Sequence, residues 1–292
     1  MLDPAQLAAL TAVHRRGAFD LAAAELHVTP SAISQRIKAL EEATGTLLIR
    51  RGQPCEATAT GLRLIRHHDE IALLERSLAL DLGLAPGPAT LRIAVNADSL
   101  ATWILPALAA TRGFLFDLVI DDQDHSQDWL RRGEVLAAIT AHNGPLQGCD
   151  TLPLGALRYR ATAAPAYLDR WFPQGVTAEA LARAPALTFS DKDRLQARWA
   201  AQYLRPGREA LPTHRMASSQ AFVDACLAGL GWGMNPEPLV APHLAKGSLV
   251  ELLPDTPLDV ALYWQFTRLA AAPLRPLTEA LRRAAAAMLV QK

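Results

Sequence analysis

Three cysteines in 292 residues, Cys55, Cys149 and Cys226, are too few and too far apart for a disulfide framework or a metal site of short ligand spacing. Their odd number suits a reducing compartment, so a cytoplasmic location is the expectation. Charge of one sign is lacking too: Lys+Arg and Asp+Glu both number 29, and no global basic excess points to nucleic acid. No uninterrupted apolar run is long enough to span a bilayer. The opening MLDPAQLAAL has neither the basic stretch nor the continuous apolar core of a secretory signal. Also missing are a glycine-rich phosphate loop, a GxSxG nucleophile turn and an HExxH zinc motif. His67 and His68 are neighbours on a predicted helix and so point apart, a poor arrangement for a shared metal. No catalytic residue, metal or cofactor is expected, and an enzyme is not the expected class.

What is present is a globular chain, 50% hydrophobic and 20% charged, long enough for two or three units. Residues 18–51 read as two short helices joined by a tight bend and followed by a basic turn. Thr29 suits the N-cap of the second helix and Pro30 its first turn, where a missing N–H costs nothing. Ile33, Ile37 and Leu40 fall on one face at helical spacing and must be buried. The other face offers Ser31, Ser34, Gln35 and Lys38, hydrogen-bonding groups of the kind that read a major groove. Between Leu26 and His68 six basic residues (Arg36, Lys38, Arg50, Arg51, Arg63, Arg66) stand against three acidic ones (Glu41, Glu42, Glu56), a local balance of 6 − 3 = +3. One copy with so modest a footprint would hold DNA weakly, which argues for two or more copies acting together.

The segment resembles the winged helix-turn-helix of the LysR-type transcriptional regulators. The matching residues are Gly17-Ala18-Phe19, Ala22-Ala23, Leu26, Thr29-Pro30-Ser31, Ser34, Ile37, Leu40-Glu41, Gly45, Arg50-Arg51 and Thr58-Ala59-Thr60-Gly61. Leu48-Ile49 departs from the family's usual aromatic but keeps an apolar group there. The resemblance implies that Thr29 and Pro30 set the helix on DNA, that Ser31, Ser34 and Gln35 meet base edges, and that Lys38, Arg50 and Arg51 hold phosphates.

Thr60 to about Gly83 reads as one long helix without Pro and, past Gly61, without internal Gly, in which Leu64, Ile71 and Leu78 recur every seven residues with Leu74 between them. Packing on its own chain and pairing with a second copy both suit it, and a dimer helix is the favoured expectation. Gly83 and Ala85-Pro86-Gly87-Pro88 end it. The expected organisation is therefore a winged helix-turn-helix over 1–59, a linker and dimerisation helix with hinge over 60–88, and a ligand-binding unit over 89–292.

Beyond Pro88 strands and helices alternate: strands at 91–95, 115–120 and 135–140, helices at 99–111 and 128–132. A second set has strands near 186–189 and 214–217, helices near 193–203 and 219–228, and a late strand at 260–266. Such alternation predicts parallel strands with helices on both faces, in two α/β lobes around a cleft. Two strand-to-helix junctions should face it, Asn96-Ala97-Asp98-Ser99 and Ala217-Ser218-Ser219-Gln220, each offering a helix N-terminus suited to a carboxylate. Capping alone also explains Ser and Asp there. The run Asp121-Asp122-Gln123-Asp124-His125 follows a strand, so its carboxylates should meet a cation, with Trp103 adding a ring face. In the other lobe Gly231-Trp232-Gly233-Met234-Asn235 adds an aromatic turn. A solvated acidic loop, or a divalent cation on Asp121, Asp122 and Asp124, is the competing reading of that run.

Asn96 to Ser99, Trp103, the run from Asp121 to His125, Trp129 to Glu134 and Gly229 to Gly233 are similar to one branch of the family, the lysine- and arginine-responsive regulators of basic amino-acid export. The likeness runs over nearly the whole chain. It implies a two-lobed, periplasmic-binding-protein-like effector domain that senses L-lysine or L-arginine, with histidine a third candidate, and an exporter gene as target. Asp98, Ser99, Trp103, Asp122, Asp124, Ser218, Ser219 and Trp232 become the effector-site candidates. It further implies a dimer on an interrupted palindrome of double-stranded DNA, dimers joined into a tetramer, and contact with RNA polymerase. An effector-independent DNA-binding protein of the replication-initiation-inhibitor type, and a regulator with a different effector, are the alternatives.

Overall fold

The structure is a computed structural model that describes residues 2–122, 124–144, 146–204 and 211–291. The head is built from α1 (Pro4–Arg16), α2 (Phe19–Glu25), α3 (Pro30–Thr44), the short strands β1 (Ile49–Arg50) and β2 (Glu56–Ala57), and the start of α4 (Ala59–Asp81). Local chemistry sets these boundaries. Asp3 accepts from the Ala5 N–H and Thr29 from the Ala32 N–H, and each cap is followed by a proline in the first turn. Gly17 ends α1 at φ 71°, and a Cβ there would lie 2.8 Å from the Cβ of Pro54. Both the backbone angle and the wing's approach therefore require glycine. Leu7, Leu10 and Val13 of α1 pack on Ala22, Ala23, Ile33, Ile37 and Leu40, and Leu48 and Ile49 close the core from the wing. Glu41 ties the wing to α3: its Oε1 accepts from the Leu48 N–H at 2.8 Å and from the Ile49 N–H at 3.4 Å.

The helix α4 belongs to two cores. Ile65 is buried among the head residues, whereas Leu73 is buried in the large cluster of the ligand-binding unit. Arg15 of α1 clamps the helix to the head, with one guanidinium nitrogen 2.8 Å from both oxygens of Asp69. Packing onto its own chain thus uses one face. The seam with the seven-residue repeat lies elsewhere, with Leu64 and Ile71 half-buried and Leu74 and Leu78 exposed.

The remainder runs β3 (Ala89–Val95), α5 (Ala97–Thr102), α6 (Leu105–Ala110), β4 (Phe114–Ile120), α7 (Ser126–Arg132) and β5 (Ala137–Thr140). It continues with β6 (Cys149–Ala163), α8 (Pro165–Trp171), α9 (Ala178–Leu181), β7 (Ala186–Thr188), α10 (Leu195–Tyr203) and β8 (Thr213–Arg215). Then come α11 (Ser219–Leu227), β9 (Gly233–Pro236), α12 (Glu237–Lys246), β10 (Val250–Glu251), β11 (Leu258–Thr267) and α13 (Arg275–Met288). One sheet of order β10-β6-β11-β5-β3-β4, with β9 also on β6, serves both lobes, and β7 pairs with β8 in a small sheet of its own.

Two expectations need correcting. The sheet is mixed: β3, β4 and β5 are parallel, but β11, β6, β9 and β10 pair antiparallel. The cause is the 15-residue β6, absent from the sequence reading because Pro153 and Gly155 break its pattern. Those residues sit where the register of β6 against β11 shifts, between Leu262 and Tyr263. The single helix expected over 99–111 is two helices, because Pro106 has no N–H to bond the Thr102 carbonyl. The strands β6 and β11 carry the chain between lobes, and a continuous apolar cluster follows them from Leu91 and Ile93 to Trp199 and Trp232.

Candidate functional site

On the head, a concave face lies between α3 and the wing. Ser31, Ser34, Gln35, Lys38, Arg50 and Arg51 all line it, with Phe19 and Leu47. Ser31, Gln35, Lys38, Arg50 and Arg51 are exposed and Ser34 is half-buried. Thr29 and Pro30 stand at the tip of α3, also exposed, with the Thr29 hydroxyl engaged as the cap. The Arg51 guanidinium rests over the Phe19 ring at 5.2 Å, which steadies the wing while leaving its N–H edge for a phosphate. Lys38 lies 3.7 Å from Glu42, an exposed pair that a phosphate can replace at little cost.

Between the lobes is a narrow cleft whose water-accessible volume is about 30 Å³. The first lobe contributes Asn96, Ala97, Asp98, Asp121 and Asp122, and the second Phe189, Asp193, Leu195, Ser219, Phe222, Met234, Asn235 and Pro236. Four carboxylates face one space. Asp98 lies in the first turn of α5 but bonds away from it: Oδ2 accepts from the Tyr159 hydroxyl at 2.8 Å and Oδ1 from the Ser219 hydroxyl at 2.7 Å. Burial pushes the Asp98 carboxyl up, against the pull of those two hydrogen bonds, and the nearby Asp193 and Asp122 push the same way. Burial, then the Asp98 charge, holds the Tyr159 phenol protonated, so it acts as a donor.

Asp121 directly follows the parallel strand β4. Burial would raise it, but hydrogen bonds from Lys192 (2.9 Å) and Trp129 Nε1 (2.8 Å) bring its carboxyl below the ordinary value. Asp122 goes the other way, raised mainly by burial and then by Asp124 and Asp193, although the Asp124 N–H bonded to its Oδ1 opposes this. Asp193 is buried and accepts the N–H groups of Phe189 and Leu195. Around these acids the walls are apolar: Phe189, Leu195, Phe222 and Met234. Such a space favours a cation with a short aliphatic stem.

Of the effector-site candidates, Asp98, Asp122 and Ser219 line this cavity. The others lie off its lining. Trp103 is buried at 1% exposure in the first-lobe core. Trp232 is fully buried against Trp199, ring centroids 5.3 Å apart. Both rings complete hydrophobic cores, so neither offers a face to a ligand. Ser99 is buried inside the third position of α5 and makes no cap; the N-cap is Asn96, which bonds no N–H of the helix through its side chain. Ser218 does cap α11, accepting from the Ala221 N–H. Asp124 sits in the turn before α7, its N–H on Asp122 and its carbonyl 2.7 Å from His142 Nε2. Gln123, within the acidic run, lies outside the described residues. Among the described residues no group of three or more His, Cys, Asp or Glu side chains is placed to hold a metal ion, and no helix is long and apolar enough to cross a membrane.

Tyr159, Lys192 and Asp193 enter the site without having been singled out, and Asn235 enters it from the segment read only as an aromatic turn. Tyr159 lies on the unread β6. Asp193 had a signal: Asp191-Lys192-Asp193 follows β7 as the acidic run follows β4, and the strand-end argument used for the first lobe applies equally to the second. The three cysteines are free and buried, and burial pushes the Cys226 thiol up to about 12, which makes it inert.

Residues 4–62 match the family described as bacterial regulatory helix-turn-helix protein, lysR family, and residues 85–286 match the LysR substrate binding domain. The chain is 46% identical to the HTH-type transcriptional regulator ArgP of Pseudomonas fluorescens, over 99% of this chain and 98% of that one. The crystal structure of ArgP from Mycobacterium tuberculosis superposes with a TM-score of 0.86 at 42% identity, each chain covered to 100%. Full-length LysG from Corynebacterium glutamicum with bound effector Arg superposes with a TM-score of 0.73 at 35% identity, each chain covered to 99%.

Proposed function

We infer the function from a family: this chain belongs to the LysR family of bacterial helix-turn-helix transcriptional regulators, with a DNA-binding head and a two-lobed, periplasmic-binding-protein-like effector domain. Within that family we read it as a sensor of a basic amino acid, L-lysine or L-arginine, that controls a basic amino-acid exporter gene. The observation that carries the reading is the cleft lined by Asp98, Asp121, Asp122 and Asp193, of which Asp121 alone among the described residues holds an ammonium, that of Lys192. A neutral ligand would leave the unpaired acids of this cluster uncompensated; a cationic side chain compensates one of them. The ligand's own carboxylate suits the N-terminus of α11, and its α-ammonium suits Asp122 or Asp98. The relative solved with bound arginine supports the same class of ligand.

On DNA, two chains pair through the exposed seam of α4 and set two α3 helices in successive major grooves of an interrupted palindrome. Ser31, Ser34 and Gln35 read bases, while Lys38, Arg50 and Arg51 hold phosphates, with Thr29 and Pro30 fixing the entry of α3. Dimers join into a tetramer, and ligand-driven change in lobe arrangement alters DNA bending and contact with RNA polymerase. The ligand does this only through unequal affinity for the two arrangements. The exporter gene as target follows from the resemblance in the sequence.

A thermal-shift screen of the full chain against each proteinogenic amino acid, followed by calorimetry, tests the reading. At a hundredfold excess over Kd a true ligand adds about 2.7 kcal/mol, on the order of several degrees in Tm. A shift confined to lysine, arginine or histidine is expected. A shift with neutral amino acids instead, or with none, overturns the basic-amino-acid assignment.

A further inference from the structure

We propose that Lys192 is a tethered occupant of the effector's cation subsite, and that a basic amino acid binds by displacing its ammonium from Asp121. The proposal rests on the basic-amino-acid reading and adds the subsite and the competitor.

Lys192 and Asp121 belong to different lobes, one in the loop after β7 and the other at the end of β4, and Nζ lies 2.9 Å from Oδ1. The two partners differ in freedom. Asp121 is fixed: Oδ1 also accepts the Asp122 N–H, Oδ2 accepts Trp129 Nε1, and the Trp129 ring is covered by the Arg132 guanidinium at 4.7 Å. Its side chain is only 18% exposed, whereas that of Lys192 is 47% exposed and held at its root by the Ser190 hydroxyl. The acid is thus the built part and the lysine the movable part. When the lysine swings out, water receives it.

The other carboxylates of the cavity are satisfied differently. Asp98 is bonded by two hydroxyls and Asp193 by two backbone N–H groups, all neutral. Asp121 therefore already holds an ammonium on a four-carbon stem, the same group that ends a lysine ligand. A second, independent sign of a ligand lies across the cavity. Asn235 is fully buried and lines it; its Nδ2 bonds Thr162 and Cys226, but among the described residues its Oδ1 has no donor. A buried amide oxygen left without a donor suits an N–H of an incoming ligand. Displacement keeps the charge of the cavity constant, one cation leaving as another enters, so a neutral amino acid cannot drive it. It also raises the ligand concentration at which the sensor responds, because part of the binding free energy is spent on evicting Lys192.

Calorimetry with L-arginine and L-lysine on the full chain, its Lys192→Met variant and the control Lys246→Met tests this, alongside amine acetylation read by mass spectrometry. Lys192→Met should bind both amino acids on the order of three- to fivefold tighter, the range of an exposed ion pair, and Lys246→Met should match the parent. In the parent, saturating L-arginine should raise acetylation of Lys192 severalfold relative to Lys246. Tighter binding without greater labelling means only a long-range charge effect and overturns the displacement, as does labelling without a change in affinity. A parent chain that binds neither amino acid removes the underlying reading as well, which distinguishes the two failures.

Discussion

The Ser219 hydroxyl donates to one oxygen of Asp98 across 2.7 Å, and the two residues belong to opposite lobes. Asp98 is half-buried and its other oxygen is held by Tyr159 on the strand that joins the lobes. Ser219→Ala leaves a half-buried carboxylate one donor short, at a cost of about 1 kcal/mol or more. A drop of several degrees in the Tm of the full chain is expected. An unchanged Tm would mean the bond contributes nothing to holding the lobes together.

Acidification should weaken the effector. Burial, followed by neighbouring carboxylates, raises Asp122, and burial raises Asp98 despite its hydroxyl partners. As pH falls through these raised values the charges that favour a cation disappear. Calorimetry should show Kd for lysine or arginine rising before the ordinary carboxylate range is reached, and Asp122→Asn should flatten that rise. The stability contribution has the opposite sign. A carboxyl whose folded pKa is raised favours the fold at pH below its unfolded pKa, and that contribution is lost as pH rises through the folded value. The stability difference between Asp98→Asn and its parent should therefore move toward the variant as pH rises through that window. A pH-independent Kd and a pH-independent difference would both count against the buried acids.

Two substitutions on the head separate base reading from phosphate holding. Gln35→Ala should change which operator bases are preferred in a binding selection. Arg50→Ala should weaken all sequences alike and lower the salt slope by about 1. Uniform loss for Gln35→Ala would assign it to the backbone instead.

Gly61→Ala should be severe although no ligand is near. A Cβ there would lie 2.3 Å from the Leu48 carbonyl oxygen and 3.2 Å from Ala57 Cβ. That carbonyl is already engaged by the Thr58 N–H at 2.9 Å, so it has little room to yield. About 1–3 kcal/mol of head stability should be lost, with DNA binding falling in parallel as circular dichroism shows early melting.

Leu78, 58% exposed on the unburied seam of α4, gives a test of pairing. Leu78→Glu should lower the mass seen by sedimentation equilibrium with helix content retained. An unchanged mass would put the interface elsewhere.

The head was legible almost residue by residue, because caps, a first-turn proline and an apolar stripe at 3.6 spacing are local signals. The two lobes were legible as alternation, and Asp98, Asp122 and Ser219 as strand-to-helix chemistry. What failed was non-local. Pro153 and Gly155 hid β6, and with it Tyr159. Trp103 and Trp232 carry the same letters whether they stack on a ligand or fill a core, and only the fold shows that they fill cores. Lys192 stood unremarked in a loop, since nothing in its neighbours announces that Asp121, 71 residues earlier, will lie beside it.

Because one unbroken helix is anchored by Ile65 in the head and by Leu73 in the ligand-binding core, α4 works as a lever whose short arm is held by the sensor. From Leu73 back to Ala59 is about 21 Å of helix at 1.5 Å per residue. A tilt of about 10° at the sensor end moves the far end by on the order of 3–4 Å, about one base-pair step. With two chains paired as proposed, a small rotation of the lobes would be enough to bring the two α3 helices into or out of phase with their half-sites.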